Sequence, residues 1–188
     1  HVPAIVHMAH SSQDEGWALA QVLFGDYNPG GHTVVTWPAS MDELPPMMDY
    51  DIRHGRTYMY AKAAPLYPFG HGLTYTTFDF SGLRTDSRTL AADGQLVVSV
   101  DVKNAGKVAG DAVPQLYVQH LDSKVERPAL QLTGFSRIHL AAGETKTVRL
   151  PLKTSQLAYW DTERKAFVVE KESVRLMIGA SSADIRLR

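Results

Sequence analysis

The spacing of hydrophobic and polar positions changes near residue 78 of this 188-residue chain. Before it, Trp17, Ala20 and Leu23 recur at the three-residue steps of an amphipathic helix. After it, apolar and polar residues alternate, most clearly over residues 96–102. These two spacings predict a first unit with a helix, followed by a second unit built of β-strands.

The helix of the first unit is predicted over residues 13–24. Ser12 and Glu15 have the spacing of a capping box, in which the serine side chain accepts a hydrogen bond from the amide of the third helical residue. Acidic residues in the first turn complement the helix dipole, and Gly25 provides the C-terminal stop. Ser12 is therefore the predicted N-cap.

Two short segments flank this helix and are predicted as strands. Residues 2–8 form an apolar run bounded by polar residues, and residues 33–37 combine β-branched and aromatic side chains before Pro38 ends the segment. Strand, helix and strand make an αβ unit of about 40 residues whose apolar surface needs a larger sheet or a partner. We do not expect this unit to stand alone.

The second unit repeats the alternation of a half-buried strand several times. The further segments lie at residues 116–118, 138–140, 148–152 and 174–178. Together they predict about seven antiparallel strands in a β-sandwich. Pro114 and Pro151 are expected at strand ends or edges, because proline cannot donate a hydrogen bond to the neighbouring strand.

Residues 67–78 (YPFGHGLTYTTF), between the two units, are predicted to form an ordered junction. Their proline and glycine residues prevent a helix or a central strand from continuing through this segment.

Composition narrows the classes of partner. Hydrophobic residues make up 44% of the chain, enough for a core, and 19 basic against 20 acidic residues leave a net charge of -1. Neither nucleic acid nor a membrane is an expected partner, and no cofactor is implied. The absence of cysteine excludes disulfides and thiolate metal sites. The first residues, His1-Val2-Pro3, lack a methionine or signal peptide and predict a processed chain or a fragment.

The acidic and histidine residues near the helix start are candidates for catalytic or metal-binding groups. Asp14 and Glu15 are adjacent in a first turn, where their side chains diverge, so helix capping is the favoured role. His7, His10 and Asp14 are a weak zinc set, and polar packing is favoured over metal binding. No spacing of oxygen ligands points to calcium.

Aromatic side chains could stack on the apolar faces of sugar rings. The tyrosines near the junction are instead predicted to pack between the two units, and Trp160 is predicted to pack in the core. These tyrosines are Tyr50, Tyr58, Tyr60 and Tyr67.

Motifs along nearly the whole chain resemble glycoside hydrolase family 3. Residues 23–31 (LFGDYNPGG), 55–58 (GRTY) and 67–78 are similar to signatures in the C-terminal portion of its β-glucosidase and β-xylosidase members. The chain departs from the family pattern at residues 32–34 (HTV), where a basic residue followed by Leu-Pro is typical. Residues 100–106 (VDVKNAG) and 110–118 (GDAVPQLYV) are similar to the family's fibronectin type III-like domain.

This resemblance implies a mainly β fold: an immunoglobulin-like, fibronectin type III-like β-sandwich over residues 74–188, preceded over residues 1–73 by a partial α/β sandwich segment and junction. The intact enzyme would hydrolyse terminal β-linked sugars with retention, using an aspartate nucleophile and a glutamate acid/base. Both are expected upstream of this chain, so no catalytic residue is assigned. The turn before the helix is expected near the sugar, which makes His10, Asp14 and Glu15 the substrate-proximal residues.

The resulting hypothesis is the C-terminal scaffolding portion of a retaining, exo-acting β-glucosidase or β-xylosidase, inactive alone. Its expected partners are the rest of the parent's catalytic domains, a β-linked glucoside or xyloside in the intact enzyme, and a second copy in a homodimer formed through uncovered apolar surface. The family resemblance favours a secreted or periplasmic location. The alternative is a stand-alone carbohydrate- or protein-binding β-sandwich module.

Overall fold

The computed structural model of the protein describes residues 2–8 and 13–188. Its architecture is mainly β, as predicted, with every strand at or beyond residue 78. The strands are β1 (Phe78–Thr85), β2 (Gln95–Asn104), β3 (Gly110–Ala112), β4 (Gln115–His120), β5 (Gln131–Phe135), β6 (Ile138–Leu140), β7 (Thr145–Lys153), β8 (Tyr159–Asp161), β9 (Ala166–Val168), β10 (Val174–Gly179) and β11 (Ile185–Leu187). The helices are α1 (Glu15–Phe24) and α2 (Thr57–Tyr60), with 3-10 turns at Met41–Glu43, Ile52–His54 and Thr154–Leu157.

Two antiparallel sheets form the sandwich. One has the order β1-β2-β7 and the other β11-β10-β4-β5, while β3-β6 and β8-β9 are separate two-stranded ribbons. Pro151 lies in β7, an edge strand, and Pro114 lies between β3 and β4, so both prolines occupy predicted positions. The ribbons raise the strand count above the predicted seven: alternation predicted β6, whereas β3, β8 and β9, each of three residues, were not predicted.

The core lies between the two sheets. Val98, Val100 and Val102 of β2 are fully buried, in line with the predicted alternation, and Leu116 and Val118 of β4 are buried against them. A fully buried side chain of this kind stabilises the fold by about 1.5–3 kcal/mol. The sandwich therefore contains the main hydrophobic core of the described residues.

Polar groups inside the sandwich are mostly paired. Asn104 has no exposed surface: its Nδ2 donates to the carbonyls of Val108 and Leu140, and its Oδ1 accepts from the hydroxyl of Thr76 and the amide of Gly106. All the hydrogen-bonding capacity expected of a buried amide is thus used.

A buried ionic cluster lies where β4 meets the loop before β10. His120 Nδ1 is 2.6 Å from Glu172 Oε1, and Arg127 lies 3.5 Å from the same oxygen. Arg127 also donates to a backbone carbonyl at 2.6 Å and lies over the Tyr159 ring at 5.1 Å. Because all three ionic side chains are more than nine-tenths buried, the loss of one partner would leave a buried charge uncompensated.

Helix α1 has the predicted C-terminal end, where Gly25 adopts a left-handed φ of 84°. It begins at Glu15, two residues later than the predicted start at residue 13. Ser12, the predicted N-cap, lies outside the described residues, and Asp14 at the helix start makes no side-chain capping bond. No residue of α1 is buried, and its apolar stripe is open to solvent, with Trp17 69% exposed.

The two strand predictions for the first unit are wrong. Residues 2–8 form no strand, and residues 33–37 make only one bridge, between Trp37 and Tyr67. A strand needs a hydrogen-bonded neighbour along its length, and among the described residues only Thr33 and Trp37 of this segment bond to residues 66–71 through the backbone. No helix in the described part of the chain is both long and apolar enough to cross a bilayer.

Candidate functional site

The candidate site is the contact between the N-terminal segment, residues 2–75 where described, and the sandwich; we call this contact the junction. Tyr58 of α2 stacks on Phe69 with ring centroids 4.5 Å apart, and its edge meets Tyr117 of β4 at 6.1 Å. The Tyr58 hydroxyl accepts a hydrogen bond from the amide of Leu132 at 3.1 Å. Burial raises the pKa of Tyr58, although that hydrogen bond opposes the rise. The GRTY and YPFG motifs therefore meet β4 and β5 at one point.

Gln115 forms the centre of the junction, and we call its set of hydrogen bonds the Gln115 lock. Its Nε2 donates to the carbonyls of Gly70 at 3.0 Å and Ala180 at 2.8 Å, and its Oε1 accepts from the Tyr117 hydroxyl at 2.5 Å. Gln115 is only 3% exposed. Gly70 has a φ of 77°, and a Cβ on it would lie 2.1 Å from Gln115 Oε1. Only glycine therefore fits at position 70 while the lock is closed.

The Asn28 side chain links the turn after α1 to the end of the N-terminal segment and to the sandwich. Its Oδ1 accepts from the Thr74 hydroxyl and the Tyr75 amide, each at 2.7 Å, and its Nδ2 donates to the Ala109 carbonyl at 2.9 Å. The Tyr75 hydroxyl donates to the Val22 carbonyl near the end of α1 at 2.6 Å. These bonds fix the end of α1 relative to the sandwich.

A cluster of charged side chains on β3, on β6 and just before β6 also contacts the turn after α1. Arg137 pairs with Asp111 at 2.5 Å and donates to the Tyr27 hydroxyl at 3.2 Å, while His139 Nδ1 lies 2.7 Å from Asp111. Partial burial would raise the pKa of Asp111, but the hydrogen bonds from His139 and Arg137 outweigh it and lower the pKa below its usual 3.8. Asp111 is therefore an ion-pair partner at neutral pH.

The described structure does not test the substrate-proximal residues as a group. Asp14 and Glu15 are both exposed at the start of α1, and His10 lies outside the described residues. His7 packs edge-on against Trp37 with centroids 5.0 Å apart. Among residues 2–8 and 13–188, no three His, Asp or Glu side chains are grouped to bind a metal ion. The substrate-proximal assignment stays a prediction.

The aromatic residues divide into two groups. Tyr58 packs at the junction as predicted, and Tyr67 packs edge-on against Trp37 at 5.9 Å within the N-terminal segment. Tyr50 is instead 79% exposed. Trp160 is 52% exposed, so its predicted place in the core is wrong: it lies on the β8-β9 ribbon, outside the two sheets, with its ring against Phe167.

The N-terminal segment carries many exposed apolar residues, and we call this set the apolar face. It comprises Val2, Ile5, Val6, Trp17, Leu23, Phe24, Val34, Val35, Met47 and Met48, each more than half exposed. Monomeric proteins seldom expose so much large apolar surface, and such surface marks interaction sites. The N-terminal segment thus contacts the sandwich and still leaves many apolar side chains uncovered.

Sequence reasoning did not assign the residues that build the junction. Gln115, Tyr117 and Asn28 lie within motifs that resemble those of the family, and that resemblance assigns no role to these three residues. A signal was present at Gln115, a polar residue in an otherwise apolar strand, because a buried amide requires partners. What the pattern could not supply was the identity of those partners, since Gly70 is 45 residues away.

Comparison with known proteins gives two family matches and many relatives. Residues 1–75 match the glycosyl hydrolase family 3 C-terminal domain, and residues 112–182 match the fibronectin type III-like domain. Thermostable beta-glucosidase B of Acetivibrio thermocellus is 37% identical over 199 residues, covering 100% of this chain and 26% of its own length. The beta-xylosidase of Formosa agariphila is 38% identical over 186 residues, with 97% of this chain and 26% of its own length covered.

Solved structures give the same picture. The beta-D-glucoside glucohydrolase of Trichoderma reesei matches with a TM-score of 0.83 and 32% identity, over 94% of this chain and 28% of that one. Beta-glucosidase 3B of Thermotoga neapolitana, in complex with glucose, matches with a TM-score of 0.81 and 29% identity, over 93% of this chain and 26% of that one. The chain spans about a quarter of the length of the curated relatives it matches.

Proposed function

Because the chain belongs to glycoside hydrolase family 3, whose C-terminal domain and fibronectin type III-like domain it carries, we propose that it is the scaffolding portion of a retaining, exo-acting β-glycosidase. The intact enzyme would remove terminal β-linked glucose or xylose. Relatives named beta-glucosidase and beta-xylosidase support both sugars. We place the boundary between its two units at residues 73 and 74.

The observation that carries this proposal is that the N-terminal segment is held to the sandwich yet leaves its apolar face uncovered. The Gln115 lock and Asn28 hold the segment to the sandwich. The apolar face is open to solvent, with Phe24 83% and Val34 80% exposed. Apolar surface of this size needs cover, and the preceding domains of a family 3 enzyme are the partner that we propose for it. The sandwich would then hold α1 and the turn before it in place beside the sugar.

The chain alone is proposed to be inactive. Retaining hydrolysis requires two carboxyl groups about 5–5.5 Å apart on opposite sides of the scissile bond. Asp14 and Glu15 are sequence neighbours at a helix start and are both exposed, so they do not flank a cleft. In the intact enzyme His10, Asp14 and Glu15 would contact the sugar, while the nucleophile and acid/base come from the preceding domains.

A binding module acting alone would be favoured by a planar row of exposed aromatic rings. Trp160 and Phe167 are exposed, but their ring planes are 75° apart. They do not form a flat platform on which successive sugars could stack. The scaffolding role therefore has better support than the module.

The test is a chimera in which this chain replaces the matching C-terminal quarter of the Acetivibrio thermocellus relative. We expect the 188-residue chain alone to give no turnover of aryl β-glucoside or β-xyloside, and the chimera to hydrolyse at least one of them. A chimera with Trp17→Ser and Phe24→Ser should lose activity, whereas Phe167→Ser, a change of an equally exposed residue outside the apolar face, should not. Turnover by the chain alone that Glu15→Gln abolishes would overturn the proposal.

The uncovered apolar face also supports self-association of the isolated chain. Two copies could bury the face against each other in a symmetric dimer. Light scattering should then give the mass of a dimer for the wild-type chain and of a monomer for the Trp17→Ser, Phe24→Ser variant. A wild-type monomer at high concentration would contradict this part of the proposal.

A further inference from the structure

A cleft of about 250 Å³ lies at the junction, and the proposed function makes no use of it. One wall comes from the N-terminal segment, with His32 and His71, and the other from the sandwich. Titratable and charged side chains of the sandwich wall are Asp111 on β3 and Asp184 and Arg186 at β11. Charged groups therefore face one another across the contact that holds the two parts together.

His32 is the most confined of these groups. It is half-buried, and its Nδ1 lies 3.0 Å from the Gly30 carbonyl. Because a carbonyl only accepts, Nδ1 must donate its hydrogen, and a further proton would be taken up at Nε2. A Cβ on Gly72 would lie 3.1 Å from the His32 ring, so the ring sits directly against that backbone. A change in the charge of His32 thus acts inside the junction.

The surroundings of His32 disfavour a positive charge. The acidic groups of the cleft are already paired, Asp111 with Arg137 and His139, and Asp184 with Arg186 at 2.6 Å. Burial lowers the pKa of His32, and the nearby His71 and Arg137 lower it further, against the opposing effect of the Gly30 carbonyl. Protonated His32 would lie close to other positive groups without a free carboxylate among the described lining residues.

The sign of the linkage follows from this lowered pKa. When the cleft is closed, His32 binds a proton less readily than when it is open to water, where its pKa is the usual 6.5. The closed cleft is therefore fully stable above pH 6.5 and loses stability as the pH falls from 6.5 toward the lowered pKa. Asp111 does not act in this range, because its pKa lies below 3.8.

We propose that the cleft is an acid-sensitive joint, in which protonation of His32 separates the turn at residues 28–33 from residues 70–72 while the two sheets stay folded. Backbone hydrogen bonds between these two parts of the N-terminal segment would report the separation. The amide of Thr33 donates to the His71 carbonyl at 2.7 Å, and the amide of Gly70 donates to the Thr33 carbonyl at 2.8 Å. The inference does not depend on the chain being part of a glycosidase.

Amide hydrogen exchange of the full chain at pH 7.5 and 5.0, corrected for the intrinsic rate, tests the proposal. Protection of the Thr33 and Gly70 amides should fall by about tenfold for each pH unit that separates the pKa values of the closed and open states, with no fall in β2 or β7. His32→Asn keeps a donor for the Gly30 carbonyl but cannot gain a proton, so it should abolish the response. His139→Asn, a change of an exposed histidine of the same region, should retain it.

Equal protection of the wild-type joint at both pH values would overturn the proposal, as would an unchanged response in His32→Asn. If that variant does not fold, the imidazole of His32 in the wild-type chain can be titrated by nitrogen NMR. A midpoint below pH 6.5 supports the joint. A midpoint at or above it contradicts the joint.

Discussion

Replacing Gly70 with alanine tests whether the Gln115 lock holds the junction rigidly. The backbone at Gly70 has a φ of 77°, which costs an alanine about 1 kcal/mol. The new Cβ would also lie 2.1 Å from Gln115 Oε1, which forces the buried amide out of its place. Three hydrogen bonds are then lost inside the protein, at about 1 kcal/mol each. We expect Gly70→Ala to lower the free energy of unfolding by about 4 kcal/mol.

Gly143→Ala is the matched control, because Gly143 has a similar φ of 78° and open space around its Cβ position. Gly143→Ala should lower the free energy of unfolding only by the cost of placing alanine in a left-handed backbone conformation, about 1 kcal/mol. Urea unfolding followed by tryptophan fluorescence gives both values. In a Gln115→Ala background, Gly70→Ala should also cost about 1 kcal/mol, since the clashing amide is gone. Equal costs for Gly70→Ala and Gly143→Ala in the wild-type background would refute the rigid lock.

Three further changes test other parts of the structure. Asn104→Ala removes a fully buried amide with four hydrogen bonds and should cost about 3 kcal/mol, seen in calorimetry as a fall in Tm of about 9 °C. Arg127→Met removes one of the two ionic partners of the buried Glu172 carboxylate and should cost about 3–5 kcal/mol by the same measurement. Arg164→Met, at a side chain 68% exposed, should cost less than about 1 kcal/mol; equal costs would contradict the role of burial. Arg53→Gln removes the hydrogen bonds that hold the pKa of Asp51 at about 2, so carbon NMR should show that pKa rise toward 3.8; an unchanged pKa would show that Arg53 is not its cause.

The sandwich could be predicted from sequence because its strands carry their own pattern. Every second residue of β2 from Leu96 to Val102 is buried, and the partner strand β7 buries its own alternate residues in register with them, from Gln95 opposite Lys153 to Lys103 opposite Thr145. The pairing is antiparallel, so each strand needs only one apolar face. The ribbon β8-β9 was missed because it lies outside the two sheets and buries no regular face.

The N-terminal segment was predicted less well than the sandwich, because a helix depends on nearby residues whereas a strand depends on distant ones. Helix α1 makes its backbone bonds within itself, and period and stop signals predicted it to within two residues although no residue of it is buried. A strand forms its backbone hydrogen bonds with a neighbouring strand. The composition of residues 2–8 and 33–37 alone therefore could not decide whether they form strands. The substrate-proximal residues depend on a turn whose neighbours are not in the described structure, and they stay a prediction.

The two kinds of contact of the N-terminal segment explain why a sandwich without assigned catalytic residues would matter to an enzyme. The bonds of Gln115 and Asn28 are directional and set one position for the N-terminal segment on the sandwich. The apolar face is non-directional and stabilises contact with any complementary surface. Fixing the segment through directional bonds lowers the entropy lost when the apolar face is covered. In the chimera we therefore expect a loosened junction to weaken docking of the preceding domains even where the apolar face itself is unchanged, and Gly70→Ala should lower activity more than Gly143→Ala.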